Sequence, residues 1–262
     1  MPMPASRNFD QVAHIYDETR RLPEPVLANG IPAILDVAGP EARILEAGTG
    51  TGRMAVPLLE RGANLTGVDL SLNMMARQRA KSDRAQLACA SITALPFGDG
   101  RFDAILTAHV LHLIPDWQAA LAEFKRVLRS GGVYIDARSE SEEESHSRRA
   151  VRYWRDWLLA RGGLPQGVDI GPRDWAEIDP ALRAIGATVS TLEPVTYTTR
   201  YTMRDRVRRT RERSYSSSWD VPDELLAASA DALEAWVIAE YGGLDVELTD
   251  EEVFRLHIAR FD

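Results

Sequence analysis

The sequence predicts an α/β protein built on a doubly wound, mostly parallel sheet, with a helical cap or insertion in its second half. Three observations carry this. Apolar runs of strand character alternate with amphipathic helical patterns between residues 43 and 137, the arrangement that sandwiches a parallel sheet between two layers of helices. The first strand ends in Glu46 and leads into Gly48-Thr49-Gly50-Thr51-Gly52, and the next ends in Asp69. Together they form the first half of a nucleotide-binding sheet, whose ligand belongs at the carboxyl ends of the strands. After Arg138 the alternation fades into longer helical stretches, with a last strand near the C-terminus.

Residues 1–8 read as a disordered leader. Phe9, Val12, Ala13 and Tyr16 recur at helical spacing, which predicts an amphipathic helix over 9–21; a second helical pattern covers 24–37. Strands follow at 43–47, 65–69, 85–89, 102–108 and 132–137, with helices at 52–61, 72–82 and 116–129. Gly131-Gly132, after Leu128-Arg129, reads as a helix stop. The acidic run at 140–144 complements the dipole at the start of a Trp- and Arg-rich helix over 143–161. A helix over 174–185 stops at Gly186, and 188–192 and 195–202 read as strands. Helical stretches at 203–215 and 222–241 precede a final strand at 252–260.

Composition narrows the class. The 262 residues are 45% hydrophobic and 27% charged, as in an ordinary soluble globular protein. No apolar stretch approaches a membrane span and no signal pattern opens the chain, so a cytoplasmic location without a membrane partner is expected. The single Cys89 excludes an internal disulfide framework and a cysteine-rich zinc site; its apolar surroundings read as those of a small buried residue. No metal-ligand spacing and no nucleophile motif is present. A net charge of −8 disfavours a nucleic-acid partner. Only Lys81 and Lys125 among 31 basic residues are lysine, a bias that makes the arginine run from Arg204 to Arg213 a solvated helix face rather than a phosphate surface.

The glycine loop specifies its ligand by what it lacks. A dinucleotide fingerprint is G-x-G-x-x-G, with the pyrophosphate on backbone N–H groups. Here the pattern is G-x-G-x-G, with Arg53 at the third fingerprint position. Glu46 at the mouth of the loop would repel a pyrophosphate but suits an ammonium and a sulfonium. S-adenosylmethionine carries both. With these residues the chain resembles the class I methyltransferases that use this cofactor, in particular the small-molecule branch known as UbiE-like or type 11. The resemblance continues through Ala94-Leu95-Pro96-Phe97, Phe102-Asp103-Ala104-Ile105-Leu106 and Leu128-Arg129-Ser130-Gly131-Gly132, covering residues 9–138.

That resemblance implies a seven-stranded sheet and assigns the cofactor site. Glu46 would hold the methionine ammonium, Gly48 a close backbone approach, and Asp69 the ribose hydroxyls; Thr49, Gly50, Gly52 and Met74 also belong to the site. Leu70 and Ile92 would sandwich the adenine. Ser91 stands where the family usually has an aspartate for the adenine amino group. Tyr16 resembles the family's lid tyrosine, with core packing as the alternative. His109, after the fourth strand, falls beside the methionine portion, with a strand-end histidine bonded to backbone as the alternative; His112 is a second candidate base, against a packing role at a helix start. A base is needed only if the acceptor is protonated.

The implied organisation is a lid and cofactor-binding half over 1–138, a cap helix and later sheet elements over 139–202, a helical insertion over 203–242, and the last strand over 243–262. Trp154, Trp157, Trp175, Trp219 and Trp236, with Tyr153, Tyr197, Tyr201 and Tyr215, suit an apolar acceptor pocket in the second half. The expected activity is in-line methyl transfer to a small organic acceptor by a monomer or homodimer. An RNA-modifying methyltransferase and a non-catalytic cofactor-binding protein are the rival readings.

Overall fold

In the computed structural model the described residues are 9–10, 13, 16–164, 171–172 and 174–262; the leader at 1–8 and Val12 of the first predicted helix lie outside them. Seven strands form one sheet: β1 (Arg43–Ala47), β2 (Asn64–Asp69), β3 (Gln86–Cys89), β4 (Phe102–Thr107), β5 (Leu128–Ser141), β6 (Ala187–Tyr201) and β7 (Leu248–Phe261). Their order is β3-β2-β1-β4-β5-β7-β6, and β1 pairs in parallel with β2 and β4, β2 with β3, and β4 with β5. The chain winds outward from β1 to β3, then restarts at β4 on the other side of β1. The crevice between the carboxyl ends of β1 and β4 is therefore the switch point where a ligand belongs.

Helices α1 (Tyr16–Thr19) and α2 (Ile31–Ala38) precede β1, and α3 (Ala55–Glu60), α4 (Leu72–Lys81), α5 (Trp117–Val127), α6 (His146–Leu159), α7 (Trp175–Ala184), α8 (Met203–Arg211) and α9 (Asp223–Tyr241) connect the strands. Four begin where a short polar side chain accepts from an otherwise orphaned backbone N–H: Ser71 from Met74, Asp116 from Ala119, Ser145 from Arg148 and Asp174 from Glu177. Of the predicted 9–21 helix, α1 is the described helical part. The 24–37 pattern begins with a π-type turn at Val26–Gly30 before α2. No helix among the described residues is long and apolar enough to cross a membrane.

Three local readings are corrected. Gly131-Gly132 is not a helix stop: α5 ends at Val127, and the glycines lie inside β5. Register passes from Phe102↔Leu128 to Ala104↔Val133, so β5 carries extra residues there, and Gly131 takes a φ of +70° that a side chain would resist. The two strands at 188–192 and 195–202 are one, β6, running through Pro194; β6 is the sheet's outer strand, the position in a sheet that tolerates proline. Cys89 is exposed, because β3 is the opposite edge strand and only partly covered.

Packing divides the chain into two compact units, Met1–Arg138 with Asp169–Val195 and Phe254–Asp262, and Ser139–Val168 with Thr196–Val253. The 143–161 and 203–242 segments, separate pieces in the sequence reading, share the second unit because they share a core: Trp154 and Leu158 of α6, Met203 and Val207 of α8, and Leu226, Leu233 and Val237 of α9. Trp154 Nε1 donates to Ser229 Oγ (2.9 Å) in its middle. In the first unit Leu45, Ile105, Phe124 and Tyr134 anchor the core around the sheet.

Candidate functional site

The cofactor-site residues and candidate bases singled out from the sequence all fall in the first unit, and most gather at the switch point, whereas the aromatic residues assigned to an acceptor pocket lie in the second unit except Trp175. Gly48 N and Thr49 N both donate to Val68 O (2.8 and 2.9 Å), which ties the glycine loop to the end of β2. Gly48 has a φ of +81°, and a Cβ on it would lie 2.5 Å from Val110 Cγ2. Only glycine lets the loop after β1 approach the loop after β4 so closely. Gly52 is similarly pressed, its Cβ position 2.6 Å from Gln78 Cγ, while Met74 Cε covers Gly50.

Two carboxylates flank this loop. Glu46 is only 2% exposed, and Thr49 Oγ1 contacts its Oε2 at 2.8 Å. Thr49 Oγ1 also lies 2.8 Å from the Gln78 amide. One hydroxyl hydrogen cannot serve both; with the Gln78 nitrogen turned inward as donor, both contacts become hydrogen bonds. Burial pushes the Glu46 carboxyl up to about 8, with nearby Asp69 adding to the effect and the Thr49 hydroxyl and Arg53 opposing it. At neutral pH Glu46 therefore largely holds its proton. Asp69 accepts from Gly50 N at Oδ2 (2.9 Å) and from Ser71 N at Oδ1 (2.8 Å). Burial raises its carboxyl too, against those backbone donors. Each oxygen keeps a further acceptor site, so the carboxylate can still receive two hydroxyls.

Beyond Asp69 the apolar surface is Leu70, 45% exposed, whereas Ile92 is 5% exposed and packs in the first unit's core. The Ser91 hydroxyl is engaged locally, 2.8 Å from Thr93 Oγ1 and accepting from Thr93 N. His109 follows β4 in a left-handed backbone conformation, φ +59°, uncommon for a side-chain-bearing residue and concentrated at functional sites. Burial holds its imidazole well below the usual histidine range, helped by the charges of Arg53, His112, Arg138 and Arg20. The ring is therefore neutral at neutral pH. His112 sits in the 3₁₀ turn Leu111–Leu113, its carbonyl accepting from Gly171 N (3.1 Å). Tyr16, half-buried in α1, meets the Phe9 ring edge-on at 6.1 Å, and the Arg20 guanidinium lies 5.9 Å from its ring centroid.

Sequence reasoning missed six residues that tie the N-terminal segment and α4 to the loop. Thr51 Oγ1 donates to Asp17 Oδ1 (2.6 Å), and Lys81 Nζ bridges Asp17 (2.6 Å) and the Thr51 carbonyl (2.8 Å). Ser71 Oγ donates to Asp10, and Gln78 meets Thr49 as described. A lysine kept in an arginine-biased chain was the one available signal. The site adjoins a buried polar chain: Tyr134 OH donates to Thr107 Oγ1 (2.8 Å), which donates to Asp136 Oδ1 (2.9 Å), while Arg138 Nε (2.7 Å) and Trp175 Nε1 (3.0 Å) donate to Asp136 Oδ2. Trp175 stacks on His257 at 4.6 Å, and His257 Nε2 lies 2.6 Å from Asp179.

Comparison with known proteins bears on this geometry. Residues 45–135 match the family model described as a methyltransferase domain. The chain is 33% identical over 187 residues to the demethylmenaquinone methyltransferase of Mycolicibacterium paratuberculosis, a match covering 70% of this chain and 79% of that one. It is 34% identical over 115 residues to an uncharacterized protein of Mycobacterium tuberculosis, and there it spans only 42% of the relative's length. A solved structure of a candidate methyltransferase from Bacillus halodurans is similar with a TM-score of 0.60 and 14% identity, covering 89% of this chain and 97% of that one. At that identity the likeness speaks for the fold alone.

Proposed function

The chain belongs to the class I methyltransferases of the methyltransferase 11 type, and from that premise we propose that it transfers a methyl group from S-adenosylmethionine to a small organic acceptor. The observation that carries the reading is the pair of carboxylates around the glycine loop: Glu46, buried beside Thr49, and Asp69, on the Gly50 and Ser71 N–H groups. The residues fit the cofactor. Glu46 would hold its ammonium and Asp69 its ribose hydroxyls, Leu70 would cover the adenine, and the bare backbone at Gly48 would admit the methionine portion. When bound, the cofactor supplies an already activated methyl group, so the protein's tasks are alignment and exclusion of water. His109, neutral at the carboxyl end of β4, would take the acceptor's proton where a hydroxyl is methylated. The demethylmenaquinone methyltransferases among its relatives support an acceptor of low molecular weight.

Thermal-shift titration with S-adenosylmethionine, S-adenosylhomocysteine and NAD tests the reading. A ligand at 100 times its Kd stabilises by about 2.7 kcal/mol, a shift of several degrees. The two adenosyl compounds should produce it and NAD should not. In the same assay and by calorimetry, Asp69→Ala should weaken S-adenosylmethionine binding by about 10- to 100-fold, the value of lost charge-assisted hydrogen bonds. Undiminished affinity in that variant would reject the assignment of Asp69.

A further inference from the structure

The arginine run of α8 and its following turn does not behave as one solvated face. Arg204 pairs with Asp245, Arg208 with Asp205 and Glu212, Arg211 with Asp231 and Glu234, and Arg213 with Asp223. Arg206 and Arg209 differ. Both are half-buried and carry an Nε that is fully buried with no hydrogen-bond acceptor. Three residues apart, they share one stripe of the helix, beside the buried Met203–Val207–Thr210 face.

The turn after α8 adds a third donor. Ser214, 7% exposed, has a buried Oγ with no partner, and its N–H donates to Arg209 O (3.0 Å). The neighbouring Tyr215 ring lies under the Arg206 guanidinium at 4.6 Å. A ring face compensates the cation's charge but accepts none of its in-plane N–H bonds. Two buried Nε–H groups and a hydroxyl on α8 and its following turn thus lack an acceptor, although Arg204, Arg208, Arg211 and Arg213 each have a carboxylate partner. Buried donors are costly to leave unmade, and forked guanidinium donors match phosphoryl oxygens in geometry.

We propose that Arg206, Arg209 and Ser214 form a binding site for the phosphoryl group of a phosphorylated small molecule. Two cations match a phosphate monoester, of charge about −1.5 to −2, better than a single carboxylate. Each guanidinium offers an in-plane edge to the oxygens, and Ser214 donates its hydroxyl. The site lies wholly within the second unit and is independent of the cofactor assignments.

Inorganic phosphate, titrated into the full-length chain and followed by calorimetry with acetate as the carboxylate control, provides the test. Arg206→Gln/Arg209→Gln should weaken phosphate binding by about tenfold or more, whereas Arg208→Gln/Arg211→Gln should leave it within about twofold. Equal loss in the two double variants, or acetate binding as tightly as phosphate, would overturn the proposal. Phenylglyoxal modification mapped by mass spectrometry needs no variant. Phosphate should protect Arg206 and Arg209 while leaving Arg208 and Arg211 at their unprotected rates. Uniform protection, or none, would overturn it even if the substituted chains fail to fold.

Discussion

Replacing Asp136 with alanine is expected to destabilise the protein by about 3–5 kcal/mol, the effect of breaking a buried ion pair. The Asp136 and Arg138 side chains are 1% and 8% exposed and lie 2.6 Å apart. Asp136 also accepts from two further donors, Thr107 and Trp175, so its loss removes an acceptor from three donors at once. Thr107 in turn receives the Tyr134 hydroxyl, which burial holds well above the usual tyrosine range and hence protonated. Urea unfolding should show the midpoint falling with little change in m-value, and the melting temperature should drop by on the order of 10 °C. Asp136→Asn keeps an acceptor for Thr107 but not the charge, and should fall between. A loss under about 1 kcal/mol for the alanine variant would mean that the pair behaves as a surface ion pair.

The second large effect concerns Glu46 and carries a pH signature. Its folded-state carboxyl is raised from 4.5 to about 8, chiefly by burial. A raised carboxyl contributes stability that is full below 4.5 and is lost as pH rises through about 8. Binding an ammonium reverses the preference, because the cation favours the carboxylate. S-adenosylmethionine should therefore bind with release of nearly one proton at mildly acidic to neutral pH. Its affinity should rise with pH until its own ammonium titrates, at about 7.7–8.0 for an ordinary α-amino group. Calorimetry in two buffers of different ionisation enthalpy measures the release directly. Glu46→Gln should weaken binding by about 10- to 100-fold and abolish the release; persistence of the proton signal would assign it to another group.

Legibility in the sequence followed distance along the chain. β1, β2 and the glycine loop were plain because strand period, loop chemistry and terminal acid all sit within 27 residues, 43 to 69. The Gly131-Gly132 pair misled because glycines after a helix satisfy its C-cap as readily as they accommodate extra residues in a strand, and only the register against β4 distinguishes the two. β6 read as two strands because nothing local tells an outer strand, which tolerates Pro194, from an inner one. The Asp136 chain was invisible, since Trp175 and His257 reach it from 39 and 121 positions away. The arginines were ambiguous for the same reason: Asp223, Asp231, Glu234 and Asp245, which neutralise Arg213, Arg211 and Arg204, come from α9 and beyond.

The backbone at His109 bears on which substitutions the position tolerates. A φ of +59° admits glycine freely, asparagine and aspartate readily, and valine or isoleucine only with strain. A saturation library at this position, selected first for folded protein and then for methyl transfer, should therefore give two different lists of survivors. Glycine and asparagine should dominate the first and vanish from the second if the imidazole takes part in the reaction. Their survival through both rounds would mean that the position is occupied for the sake of its main chain. The turn thus works as a genetic filter that separates what the fold requires from what the chemistry requires.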